Sequence, residues 1–143
     1  VQHRPGGSAA ESALNAKIPL MSLAKAVILS DHQGLHLMAV IPGSNKVKLN
    51  RMEKITRSNL SLAPEDQLES IFKDCDITAI PAIGPAFNIL TWYDICLLEH
   101  DKLYIESGDH QCLIELSRND FINAMESSFR GSISELAGGE IQL

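Results

Sequence analysis

The spacing of apolar and polar residues changes repeatedly along the chain, and each change marks an element. Residues 23–30 and 35–41 are apolar and rich in strand formers, and the turn-like Asp31-His32-Gln33-Gly34 between them predicts a β-hairpin. Pro42-Gly43-Ser44-Asn45 breaks the second strand, after which Leu49, Met52 and Ile55 recur at a helical interval and predict an amphipathic helix over residues 49–57. A short strand is expected at residues 60–62. Pro64 suits the first position of a helix, where its missing N–H is not needed, and Leu68, Ile71 and Phe72 then share one face through Lys73. Past the turn at residues 81–85, residues 88–93 read as extended, 94–98 as a helical turn, and 102–106 and 111–116 as strands. Ser117 is placed to cap a helix that carries Phe121, Ile122 and Met125. At the other end, Ser8-Ala9-Ala10-Glu11 has the form of a capping box and predicts a short helix to about Asn15, stopped by Pro19. Residues 127–143 are rich in Ser and Gly and weakly patterned, and read as a peripheral tail or linker.

Short strands interleaved with short helices, several of the strands joined by tight turns, predict an α+β fold with a mixed, largely antiparallel sheet. At 143 residues the chain suits one domain with its own core. Apolar residues make up 45% of it, yet no apolar run approaches the ~20 residues a membrane-spanning helix needs. The opening Val1-Gln2-His3-Arg4-Pro5-Gly6-Gly7 lacks an apolar core and reads as an internal or trimmed start rather than a signal peptide. Cys75, Cys96 and Cys112 fit no zinc spacing and are expected to be free thiols of a reducing cytoplasm.

The net charge of −6 conceals a polarised chain: residues 1–60 hold eight Lys/Arg against three Asp/Glu, and residues 61–143 hold four against fifteen. Lys46, Lys48, Arg51, Lys54 and Arg57 are opposed locally only by Glu53. Such a run is either a solvated helix surface or a face for phosphates. The overall acidity argues against avid, indiscriminate nucleic-acid binding and leaves room for a local patch that touches one end of a tRNA.

The common hydrolase, metalloprotease, nucleotide-binding and dinucleotide-binding motifs are absent, and His32 and His36 flank a turn rather than share a helix face as zinc ligands would. Three other stretches set useful chemistry beside a strand or turn. Lys25 opens an apolar strand, where an ammonium is either a snorkelling surface group or a partner for a phosphate or ester carbonyl. Gly84 ends Ile80-Pro81-Ala82-Ile83, where glycine serves either the turn alone or the approach of a substrate to the backbone. Ser107-Gly108-Asp109-His110 is either a hydrophilic hairpin tip or a place where an imidazole positions water and a carboxylate meets an amine.

In this order and at these separations, Leu23-Ala24-Lys25-Ala26-Val27-Ile28, Ile80-Pro81-Ala82-Ile83-Gly84, Tyr93-Asp94-Ile95-Cys96-Leu97-Leu98 and Ser107-Gly108-Asp109-His110 resemble the YbaK/ProX family of aminoacyl-tRNA editing domains, which is related to the insertion domain of bacterial prolyl-tRNA synthetases. The resemblance implies a sheet curled toward a barrel with helices around it. It also implies an editing domain over residues 1–126, lacking the family's usual first helix, with residues 127–143 as tail. It implies a cytoplasmic deacylase that hydrolyses the ester of a small amino acid mischarged on tRNA, for example that for proline, with no cofactor and no metal. By the same resemblance Lys25 binds the 3′ end of the aminoacyl-tRNA, Gly84 and His110 complete the catalytic set, and Pro81, Ile83, Gly108 and Asp109 contact substrate. Lys46, Lys48, Arg51 and Lys54 are the candidate tRNA contacts, and Asp94 is expected to act as a cap. Ala82 and Ile83 depart from the family's Ile-Pro-Pro-Phe-Gly turn and alter the pocket wall. The partner is the aminoacyl-tRNA 3′ end, with a synthetase or a fused regulatory domain as further candidates. The alternative is a ligand-binding sensor module that kept the fold and lost the reaction.

Overall fold

The computed structural model describes residues 13–14, 16–31, 33–76, 79–109 and 112–137. The expected hairpin forms its centre. β1 (Ala24–Ser30) pairs antiparallel with β2 (His36–Pro42) from Ala24↔Pro42 to Ser30↔His36. Asp31 closes the turn, its Oδ1 accepting from the N–H groups of Gln33 and Leu35. β4 (Ser61–Leu62) adds to the outer edge of β1, and β5 (Leu90–Asp94) runs parallel to β2. β8 (Phe129–Gly131) runs parallel to β5, giving the order β4-β1-β2-β5-β8. Two antiparallel pairs accompany this sheet: β3 (Asn45–Val47) with β9 (Ser134–Leu136), and β6 (Lys102–Glu106) with β7 (Leu113–Ser117).

Three α-helices are described: α1 (Leu49–Thr56), α2 (Glu65–Ile71) and α3 (Arg118–Ala124). Ser117 caps α3 as expected, accepting from Asp120 N at 3.0 Å. The helix expected after Ser8 begins outside the described residues.

Because side chains alternate along a strand, the sheet has two separately covered faces. On one, Ala24, Ile28, Met38, Val40 and Tyr93 pack with Phe72, Ile80, Ala82, Leu97, Leu103, Ile105, Phe121 and Met125. On the other, Leu29, Leu37, Ala39 and Ile41 pack with Met52 of α1, Leu60 and Ile133. This is the expected mixed α+β class, but the sheet stays open instead of closing toward a barrel. One edge, β4, is two residues long; Ala63 N still donates to Ile28 O at 2.9 Å, and Pro64 after it has no N–H to extend a ladder.

A second correction concerns the tail. Residues 129–131 and 134–136, expected to be a peripheral tail or linker, form β8 and β9 and pair with β5 and β3. Asp94, only 2% exposed, fastens them. Its Oδ1 accepts from Cys96 N at 2.9 Å, the expected cap, while its Oδ2 accepts from Ile133 N at 3.1 Å and Ser134 Oγ at 2.6 Å. Ser134 Oγ in turn accepts from Asn45 Nδ2 at 2.9 Å, joining β5, β9 and β3 in one polar network.

Candidate functional site

Lys25 lies near the start of β1 opposite Ile41, so its side chain leaves the sheet on the face that α1 and β3 cover. The amine is half-buried, and its nearest partner is the Gly43 carbonyl oxygen at 3.5 Å, the outer limit of a hydrogen bond. Burial lowers its pKa below the ordinary lysine value. Among the described residues no carboxylate lies within ion-pair distance of it. A cation partly withdrawn from water with so weak a partner keeps most of its capacity to bind an anion or a carbonyl oxygen.

Two of the segments singled out in the sequence, the strand of Lys25 and the turn after Glu106, are brought near each other by β6. A parallel bridge between Leu23 and Tyr104 sets β6 beside the start of β1. The Ser107-Gly108-Asp109 turn comes next. Ser107 Oγ donates to Asp109 Oδ1 at 2.8 Å, and Gly108 takes φ +105°, a conformation that favours glycine. The Gly108 carbonyl accepts from Asp76 N at 2.8 Å, which ties the turn to the segment leading into residues 79–84. His110 lies outside the described residues.

Gly84 is a different case. It is buried, and a Cβ there would collide with Thr91 Oγ1. Thr91 pairs with Met38, so this packing occurs on the face opposite to Lys25. The structure therefore does not bring Gly84 and the Lys25 amine into one hollow, and the demand for glycine comes from Thr91. Pro81 and Ile83 are half-buried and form the accessible part of that loop. Gly84→Ala is expected to cost about 1–3 kcal/mol through overpacking, seen as a lower melting temperature. A melting temperature equal to wild type would show that the loop yields.

The four candidate tRNA contacts do come together. Lys46 of β3, Lys48, and Arg51 and Lys54 of α1 line a single groove of about 490 Å³ with Val47, Leu49 and Asn50. Glu135, opposite Lys46 in the β3–β9 ladder, is the acidic member of the lining. Arg57 lines a neighbouring hollow instead, at the left-handed C-terminal cap of α1. Sequence periodicity put Arg51 and Lys54 on one helix turn, but Lys46 and Glu135 join them only through a strand pairing that spans almost ninety residues. Other flagged groups have structural partners. His36 Nε2 hydrogen-bonds Gln67 Oε1 at 2.7 Å, joining β2 to α2. The three cysteines are free thiols, and burial together with the Asp94 carboxylate pushes Cys96 up to about 12. Among the described residues no group of His, Cys, Asp or Glu is arranged to hold a metal ion, and no helix is long and apolar enough to cross a membrane.

A half-buried lysine and a groove lined by four cations thus lie on the same side of an open α+β sheet. The chain belongs to the aminoacyl-tRNA editing domain family, whose pattern it matches over residues 3–124. No curated protein matches it significantly. Solved structures share the fold. Hypothetical protein APE2540 is 24% identical with a TM-score of 0.81, over 94% of this chain and 89% of that one. A candidate trans-editing enzyme for prolyl tRNA synthetase is 16% identical with a TM-score of 0.80, over 94% of this chain and 85% of that one. A candidate signal transduction protein from Marinobacter aquaeolei VT8 is 19% identical with a TM-score of 0.73; 82% of this chain matches 26% of that one.

Proposed function

We propose that this chain is an aminoacyl-tRNA deacylase acting in trans: water adds to the ester carbonyl that joins a small amino acid to the terminal ribose of a mischarged tRNA. Collapse of the adduct releases the amino acid and a free ribose hydroxyl. An aminoacyl ester is already activated, so the protein need only position it, polarise its carbonyl and exclude larger side chains. The observation that carries this reading is the Lys25 ammonium, half out of water and weakly partnered, on the sheet side whose covering layer holds the groove of Lys46, Lys48, Arg51 and Lys54. Phosphates of the acceptor end occupy the groove, and Lys25 binds the ester or the last phosphate. The Ser107-Gly108-Asp109 turn supplies a carboxylate for the substrate ammonium, and His110 holds the water. Editing of this kind suits amino acids that a synthetase pocket rejects poorly.

The test is deacylation of a panel of tRNAs charged with alanine, cysteine, serine and their cognate amino acids. At least one mischarged ester should be hydrolysed well above the spontaneous rate while cognate esters survive. A second reading, a sensor module without turnover, is favoured by the buried Gly84 and by the shared fold with a quarter of a candidate signal transduction protein. Absence of turnover on every ester, with ligand-induced stabilisation instead, would select it.

A further inference from the structure

Trp92 of β5 and Phe129 of β8 stand opposite each other in the parallel ladder, their rings stacked with centroids 4.9 Å apart and planes 26° from parallel. Trp92 packs inward against the cluster of Leu29, Ala39, Met52 and Ile133. Phe129 lies on the last strand of the sheet and leaves 53% of its surface open. A supported aromatic ring with a bare outer side thus faces water at the sheet edge.

A chain of contacts links the pair to the cationic groove. Ile133 packs in the same cluster as Trp92, its carbonyl accepts from Lys48 N at 2.8 Å, and Lys48 lines the groove. A groove of four cations with a flat apolar surface on the same side of the sheet complements a strand that alternates phosphates with exposed base faces. A base-paired stem offers its phosphates but keeps its bases stacked within the helix. We propose that Phe129, backed by Trp92, is a stacking platform for an unpaired base at the tRNA 3′ end. The inference rests on the tRNA reading given above and adds to it where the single-stranded end lies.

Trp92 is the chain's sole tryptophan, so its fluorescence reports this pair directly. The probes are uncharged tRNA, the same tRNA with its single-stranded 3′ end removed, and a blunt RNA duplex, with binding followed independently by anisotropy of labelled RNA. Intact tRNA should bind and quench Trp92, whereas the trimmed tRNA and the duplex should bind more weakly without quenching. Phe129→Ala should weaken intact tRNA binding by about 5-fold or more and leave trimmed tRNA unchanged. Phe129→Leu, apolar but not flat, should behave as Phe129→Ala does, and the wild-type quenching pattern answers the question even if a variant fails to fold. Equal binding of intact tRNA by wild type and Phe129→Ala, without quenching, would overturn the platform and leave the tRNA reading standing. Failure of wild type to bind any tRNA would remove both. Concentration-dependent self-association lost in Phe129→Ala would also overturn it, marking the ring as a contact between copies of this chain.

Discussion

Lys25→Ala should lower the deacylation rate by about 100-fold or more, the usual effect of deleting a group that stabilises developing negative charge on a carbonyl oxygen. Stability should scarcely change. The amine makes one contact, at 3.5 Å, so its removal strands no strongly paired group and relieves a desolvated charge. Unchanged circular dichroism and melting with lost turnover would therefore separate this substitution from a folding defect. Arg51→Glu offers the contrast: it reverses a charge in the groove and should raise KM steeply while kcat on saturating tRNA persists. The pH profile gives an independent check. Burial makes Lys25 lose its proton below the ordinary lysine value, so the enzymatic excess over spontaneous hydrolysis should decline on the alkaline side earlier than a solvated lysine would allow. A Lys25→Ala variant as fast as wild type would reject the site.

Local signals in the chain were legible, and non-local pairings were not. The β1–β2 hairpin, α1, β6 and the Ser117 cap each follow from a few neighbouring residues: two apolar runs joined by an Asp-x-x-Gly turn, an apolar spacing of three, a strand of alternating Leu103 and Ile105, and a hydroxyl before a helix. β3, β8 and β9 are three residues each, too short for any periodicity, and exist because distant partners complete them. Phe129 is extended because β5 lies beside it, and Ser134 is held by Asp94, forty positions earlier. The site divides along the same line. Lys25 was visible as a cation opening an apolar strand, and the basic run as a run, but which side of the sheet each faces is set by register. Gly84 was expected to serve a turn or a substrate's approach, while the neighbour that requires glycine there, Thr91, is legible only in three dimensions.

Asp94→Ala is expected to destabilise the fold by about 3 kcal/mol or more, because it strips the acceptor from two buried donors and one part-buried donor, each buried one costing roughly 1–3 kcal/mol when left unpaired. Those donors are Cys96 N, Ile133 N and Ser134 Oγ, and two of them hold the segment that carries β8 and β9. The effect has a pH signature. Burial alone would raise the Asp94 pKa, but hydrogen bonds from Cys96, Ser134 and Ile133 outweigh it and hold the carboxyl below its usual range. The folded chain therefore binds this proton less tightly than the unfolded chain. The stabilisation is fully present above the unfolded carboxylate value of about 3.9 and disappears as pH falls through the lower folded value. Denaturation of wild type and Asp94→Asn should differ most near neutrality and converge in acid. Loss should also begin locally: amide exchange at residues 129–136 should accelerate in Asp94→Ala before the β1–β2 hairpin opens, and Trp92 emission should change with it as Phe129 leaves its ring. Uniform exchange across both regions, or a stability loss below about 1 kcal/mol, would mean that β8 and β9 are held by pairing alone and that the buried carboxylate is not their fastening.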